Sequence, residues 1–284
     1  MKEGGKKAPS VVPVEVGRWK GEAVESHADS SVLSIFEGNK FPSPGFKGDV
    51  ELVAHNIGST YRVTLPGSPE NVYYVKHFFM HRRGKGKLRD FIPDQGMRSW
   101  KASLAAMAED IPCPTPVCEL SKKTMGIVTA SVFICEEIKG GLSENLEMHF
   151  RNCFDFPSLT PEQLHEKREI VSLLADLFKS VHDQDSIYFP DFHPHNMVYR
   201  RGEAGGELFM VDFDEVRFGL RDDDKLKNLS SLGRNADKII KKMEHRAITT
   251  GDRVRFMERY LGEGASSEDL HKLWKKILDN WNLK

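Results

Sequence analysis

The most constraining feature of this chain is a pair of acidic positions and an asparagine set around a short hairpin. The stretch Tyr188-Phe-Pro-Asp-Phe-His-Pro-His-Asn-Met-Val-Tyr199 carries Asp191 and, five residues later, Asn196. Met197-Val-Tyr199 and Leu208-Phe-Met-Val211 read as short apolar strands around an Arg200-Arg-Gly-Glu-Ala-Gly-Gly206 turn, with Asp212 directly after the second. A hairpin here brings Asn196 and Asp212 together, although they are sixteen positions apart in sequence. The clearest helix of the chain leads into this stretch. Thr160-Pro-Glu-Gln163 places Thr at the N-cap, Pro at N1 and Gln at N3. Ile170, Val171, Leu174, Leu177, Phe178 and Val181 then form one apolar stripe, which predicts a buried helix that delivers Asp191 on the loop after it.

Upstream, Val50–Ala54 and Tyr61–Leu65 read as strands joined by a turn that contains Gly58. Pro66-Gly67 then turns the chain into Val72-Tyr-Tyr-Val-Lys-His-Phe-Phe79, which carries Lys76. His81-Arg-Arg-Gly-Lys-Gly-Lys-Leu-Arg89 is a basic loop, of a kind that is usually solvated. The stretch from Asp94 to Asp110 predicts a helix, with Met97, Trp100, Leu104 and Met107 as its apolar stripe. Prolines 112, 114 and 116 end it. Pro116–Leu120 and Ile127–Ile134 read as a strand pair leaving into Cys135-Glu-Glu-Ile-Lys-Gly-Gly141, which suits a hinge. Past Asp214 the pattern is helical and charged to the end.

At 284 residues the chain is long enough for one large domain or two closely packed lobes. A net charge of −1 argues against non-specific nucleic-acid binding, so no nucleic-acid partner is expected. The four cysteines, at 113, 118, 135 and 153, have no paired spacing, which argues for free thiols in a reducing compartment. No secretory signal is expected, and no apolar run reaches the ~18 residues of a membrane span. The expectation is a cytoplasmic protein.

Taken in order, these parts resemble the lipopolysaccharide kinase family, the Kdo and heptose kinases, within the protein-kinase-like superfamily. The carrying residues are Val72–Phe78, Arg98-Ser-Trp100, Asp191-Phe-His-Pro-His-Asn196, Val211-Asp-Phe-Asp214 and Leu226-Lys-Asn-Leu-Ser-Ser-Leu-Gly-Arg234. The resemblance runs roughly from residue 48 to 240. It implies an α+β, protein-kinase-like bilobal fold with a β-rich N-lobe and an α-helical C-lobe. The corresponding division is an extension over 1–48, partly flexible, an N-lobe over 49–138 and a C-lobe over 139–284.

The resemblance also implies an ATP- and Mg2+-dependent phosphotransferase with a sugar hydroxyl as acceptor. Asp191 looks like the catalytic base, and Asn196 and Asp212 look like the metal ligands. Lys76 looks like the phosphate anchor, with Gly58 in the turn over the phosphates. The backbone at Glu136 and Ile138 is similar to the adenine-pairing hinge. One departure stands out: family members carry a glutamate just before the helix tryptophan, and here that position is Ser99. The implied partners are ATP and a lipid-linked lipopolysaccharide-core saccharide. The local excess of Lys and Arg over residues 81–89 adds the expectation of a peripheral contact with the lipid-linked acceptor or the anionic inner membrane at its cytoplasmic face. The Asp-x-x-x-x-Asn spacing also fits a small-molecule phosphotransferase of the aminoglycoside or choline type, or an atypical protein kinase. Ser99 alone favours a non-catalytic pseudokinase.

Overall fold

The computed structural model describes residues 9–28, 31–38, 41–55, 58–79, 94–140, 144–184, 186–190, 192–202, 205–245 and 247–282. The chain divides into two compact units, Met1–Asp110 with Pro114–Ile138 and Ile111–Cys113 with Lys139–Lys284. The class is α+β. Asp191, the basic stretch 81–89 and Gly141 lie outside the described residues.

Among the described residues the first unit is an antiparallel sheet with one α-helix. Its strands are β1 (Val11–Val16), β2 (Trp19–Val24), β3 (Asp49–His55), β4 (Gly58–Leu65), β5 (Ser68–Phe79), β6 (Pro116–Thr124) and β7 (Ile127–Glu136), and its helix is α1 (Gln95–Ala108). The sheet order is β1-β2-β6-β7-β5-β4-β3. Residues expected in an extension outside the N-lobe thus supply two of its strands. Alternation hid them: Val11-Val-Pro-Val-Glu-Val16 contains a proline, which a sequence reading demotes, yet β1 is an edge strand where a missing donor is tolerated.

Side-chain alternation along β5 sorts its residues between two cores. Tyr73 and Val75 join Trp19, Phe36, Val63 and Ile134 on one face. Tyr74 and Phe78 join Trp100, Phe133 and Cys135 on the other, which α1 covers. α1 starts where its sequence predicts: Asp94 caps it, accepting from the Met97 amide at 3.0 Å. Its first turn packs closely on β7, where the Gly96 amide donates to Ser131 Oγ at 3.1 Å. A Cβ on Gly96 would stand 2.7 Å from the Val132 carbonyl oxygen, so only glycine fits there.

Under α1 the sheet buries acid. Glu22 and Glu119 stand opposite each other on β2 and β6. Glu22 Oε2 accepts from Trp100 Nε1 at 3.2 Å, whereas Glu119 is 1% exposed. Burial, followed by the charges of Asp94 and Glu22, pushes the Glu119 carboxyl up to about 8, against the smaller opposing pull of Lys123 and Lys101.

The second unit is helical, with α2 (Leu146–Phe154), α3 (Pro161–Gln184), α4 (Asp222–Lys241), α5 (Thr250–Leu261) and α6 (Ser267–Asn282). It also holds the hairpin β9 (Met197–Gly202) and β10 (Gly205–Met210), and the two-residue strands β8 (Ile187–Tyr188) and β11 (Arg217–Phe218), which pair with each other. The capping box at the start of α3 forms in both directions: the Thr160 amide donates to Gln163 Oε1 at 2.9 Å and the Gln163 amide to Thr160 Oγ1 at 3.3 Å. The predicted stripe of α3 is buried throughout. α2 was not anticipated, because its nine residues offer too few turns for a periodic pattern to emerge.

α3 and α5 are joined by a buried ion pair. Lys167 Nζ lies 3.0 Å from Asp252 Oδ2 and donates to the Ala247 carbonyl at 3.2 Å. Asp252 also completes the α5 capping box with Thr249. On α4, Asn228 is buried and its Nδ2 donates to His182 Nε2 on α3 at 3.4 Å. The Asn-Leu stretch that carries part of the family resemblance therefore contributes a helix-to-helix bridge in this unit.

Two stability predictions follow from these buried charges. The folded Glu119 carboxyl holds its proton well above its ordinary 4.5, so its stabilising share is fully present below that pH and is lost as pH rises towards about 8. Glu119→Gln is expected to flatten the fall in Tm across this window and to raise Tm at its upper end; an unchanged slope in a pH series of thermal melts would refute the assignment. Lys167→Met strands a buried carboxylate and should cost about 3 kcal/mol in denaturant unfolding. Adding Asp252→Asn should recover part of that loss, and a loss below about 1 kcal/mol would mean the pair is effectively hydrated.

Candidate active site

The residues picked from the sequence fall into two sets, one in each unit. In the first unit, Lys76 is half-buried on β5, in register with Thr60 on β4 and Phe133 on β7. Alternation puts it on the same face as Tyr74 and Phe78, so its side chain belongs to the α1 side of the sheet. One cross-strand row runs Glu22, Glu119, Phe133, Lys76, Thr60 from β2 to β4. Lys76 and Glu119 are thus second neighbours in the row, roughly 10 Å apart at the backbone. The acid that sequence reasoning sought in α1 is absent at the fully buried Ser99. Asp94 is used as the helix cap. The sheet instead brings an acid to this face through Glu119, which no local motif could have indicated.

Gly58 opens β4 opposite Phe78. A Cβ there would meet the His77 carbonyl oxygen at 2.6 Å, so this glycine permits close strand approach at the turn between β3 and β4. Next to it, Ser59 Oγ is held by His55 Nδ1 at 2.8 Å. At the far end of β7, the Glu136 amide donates to the Thr115 carbonyl and the Glu137 amide to the Val72 carbonyl, each at 2.9 Å. Glu137 also accepts from Arg62 Nε at 2.8 Å. Ile138 follows as the last residue of the unit. Two of the amides at the expected hinge are therefore already engaged within the sheet.

In the second unit the hairpin brings Asn196 and Asp212 together as predicted. Met197 pairs with Met210, and the Val211 amide donates to the Asn196 carbonyl at 2.9 Å. α3 holds this hairpin through Glu169, which accepts from the Gly206 amide at 2.7 Å and from the Tyr199 hydroxyl at 3.2 Å. Tyr199 is buried, and burial, followed by the Glu169 charge, pushes its hydroxyl up to about 12. Asn196 closes a 3-10 turn, Pro194–Asn196, in which its amide donates to the His193 carbonyl at 2.9 Å.

Asp212 has φ +69°, the left-handed region that a non-glycine residue rarely adopts. Such a conformation costs of order 1–3 kcal/mol and concentrates at functional sites. Asp212 lies two residues past the end of β10, and the next residue, Phe213, is buried edge-on to Phe189 at 5.5 Å. That anchor turns the chain sharply and leaves Asp212 exposed. The positions around 191 are equally well anchored: Phe192 stacks on Phe178 of α3 at 3.8 Å, and Phe189 is 2% exposed.

Sequence reasoning missed the support behind the loop. His195 Nε2 donates to Glu147 Oε2 at 2.8 Å, and Asn145 Nδ2 donates to its Nδ1 at 3.1 Å. Glu147 is also paired with Lys242 at 3.0 Å. The doubled histidine in His193-Pro-His195 was the only available signal. Asn196 and Asp212 stand on neighbouring backbone positions and carry an amide and a carboxylate, hard oxygen donors of the kind that fits a Mg2+-class ion.

No family model matches the chain, and no curated protein matches it by sequence. Solved structures do match. One, described as WaaP in complex with acyl carrier protein, is 16% identical, with a TM-score of 0.57 over 84% of this chain and 88% of that one. Another, the Toxoplasma gondii specific rhoptry antigen kinase domain, is 11% identical, with a TM-score of 0.48 over 84% of each chain. At these identities the likeness is one of fold. With its antiparallel sheet and, among the described residues, one α-helix in one unit and a hairpin among helices in the other, the chain has the protein-kinase-like fold.

Proposed function

We propose that this chain is an ATP-dependent kinase that transfers the γ-phosphoryl group to a sugar hydroxyl of the lipopolysaccharide inner core, on Kdo or heptose. The observation that carries the reading is the backbone juxtaposition of Asn196 and the left-handed Asp212 at the base of one hairpin. In this reading Asn196 and Asp212 hold Mg2+, which when bound neutralises charge on the phosphates. Asp191 accepts the proton of the attacking hydroxyl. Lys76 binds the α- and β-phosphates, and the turn that contains Gly58 covers them. The adenine-pairing amide falls to Ile138, since those of Glu136 and Glu137 are engaged within the sheet.

The saccharide acceptor is supported by the family resemblance of Trp100 and of the Asn228-Leu229 stretch. Residues 81–89, with five Lys or Arg, would recruit an anionic lipid-linked acceptor or its membrane surface, at about 1 kcal/mol per basic residue. Among the described residues no helix is long and apolar enough to cross a membrane.

The roles separate by kinetics. Asp191→Asn is expected to lower kcat by about 10²–10⁴-fold while Mg-ATP binding measured by calorimetry is kept. Asp212→Asn should weaken Mg-ATP binding itself, and Lys76→Met should cut kcat/KM for ATP without shifting Tm. Parent-like turnover in Asp191→Asn would sink the catalytic assignment. The acceptor is tested separately. Mass spectrometry of the lipopolysaccharide core from a strain lacking this chain should show one phosphate missing. Replacing Arg82, Arg83, Lys85 and Lys87 with Ser should raise KM for the acceptor and leave KM for ATP unchanged. An unaltered core would discard the acceptor and leave the kinase reading standing.

A further inference from the structure

A second cluster of donor atoms runs along α2, from Glu144 just before the helix to Cys153 in its last turn, and includes neither Asn196 nor Asp212. His149 and Cys153 are four residues apart on this helix and share a face. Glu144 stands just before Asn145, the residue that caps it. The His149 ring is 3% exposed. Its Nδ1 lies 3.5 Å from Glu144 Oε1 and 3.4 Å from Cys153 Sγ. The three donor atoms all fall within 4.8 Å of one another. A tetrahedral ion at about 2.0–2.1 Å from nitrogen or oxygen and about 2.3 Å from sulfur sets its donors about 3.3–3.6 Å apart. Both separations from Nδ1 match that spacing.

The surroundings are built as a support for such a centre. On the far side of the ring, Nε2 lies 3.6 Å from Glu166 Oε1, and Glu166 is held in turn by Arg201 at 2.5 Å. A carboxylate behind a histidine fixes the tautomer and aims the other nitrogen at a metal. At that distance Nε2 makes no hydrogen bond among the described residues, and Nδ1 lies between the Glu144 carboxylate and the Cys153 thiol, where one cation could be shared by all three. Asn152 Nδ2 donates to the second oxygen of Glu144 at 2.5 Å, and Gln163 Nε2 donates to the Cys153 carbonyl at 3.0 Å. These bonds fix the two ligands that are only partly buried and through which solvent reaches the cluster.

We propose that Glu144, His149 Nδ1 and Cys153 Sγ bind one thiophilic divalent transition-metal ion of the Zn2+ class, with a water as fourth ligand and Glu166 as the residue that positions the imidazole. Sulfur and imidazole select such an ion over Mg2+, so the site is distinct in chemistry from the Asn196–Asp212 pair. The ligands enter as thiolate and neutral imidazole, and one proton leaves the thiol on binding. The ion clamps the segment that carries Asn145 and Glu147, the two residues that hold His195 beside Asn196. Its role is to stiffen the support of that loop, and the proposal does not depend on the kinase reading.

The test is Co2+ titration of the purified full-length chain, read by absorbance. One equivalent should give a thiolate-to-Co2+ charge-transfer band with the intense visible bands of tetrahedral coordination. Zn2+ should displace it and excess Mg2+ should not. Cys153→Ser should abolish the charge-transfer band, while Cys113→Ser and Asp212→Asn keep it. His149→Gln changes a buried residue, so its fold is checked by circular dichroism, and the partly exposed Glu144→Gln serves as the second ligand variant. Each should weaken Zn2+ binding, as should Glu166→Gln, the last by about 10-fold or more. Absence of the thiolate band, or its persistence in Cys153→Ser, overturns the proposal and makes His149 an ion-paired histidine between two carboxylates.

Discussion

Backbone pairing in one small hairpin is the constraint on which the candidate site depends. Once Met197 and Met210 are in register, the Val211 amide can reach only the Asn196 carbonyl, and Asp212 must emerge beside it. The hairpin is too short to be stable alone. Glu169 of α3 supplies the missing support by accepting from Gly206 and Tyr199, and stacking of Phe178 on Phe192 fixes the other end of the loop. The long helix with the capping box is therefore the rigid element against which the loop chemistry is set. The left-handed backbone at Asp212 is tolerated because buried Phe213 and the hairpin over-determine it.

The first unit poses a different physical problem, charge inside an apolar sheet-and-helix sandwich. Lys76 lies on the α1 face among Tyr74, Phe78 and Phe133, and Glu119 and Glu22 lie in the same cross-strand row. Burying an acid beside other acids raises its proton affinity, which is what happens to Glu119. An acid on this face at Glu119, combined with a serine at 99, means that the polarity of the face is set by the sheet. That is a property of this chain's own register.

α2 connects the two polar networks of the second unit. Its first turn supplies Glu147 to His195 and Lys242, and its opposite face supplies His149 and Cys153 to the Glu144 cluster. A nine-residue helix has little intrinsic stability. Its geometry is held by these side-chain contacts and by the packing of Leu146, Phe150 and Phe154.

The sequence alone determined the local pieces. The Thr160 capping box, the α3 stripe, the Asp94 cap, the β4–β5 turn and the Asn196–Asp212 hairpin are written in residues close to one another in the chain, where propensity and periodicity act directly. The places of Lys76 on a strand and of Asn196 and Asp212 at the two ends of one hairpin were legible for the same reason, since each sits in a short local pattern. Tertiary structure decided what depends on partners far away in sequence. It placed β1 and β2 in the sheet through pairing of β2 with β6, roughly a hundred residues on. It also brought Glu119 into the row of Lys76, gave Asn228 to His182, and set Glu166 behind the buried ring of His149. No local pattern encodes these meetings, because strand register and helix packing are chosen by the burial of whole faces, and a side chain's neighbours are known only once those faces have met.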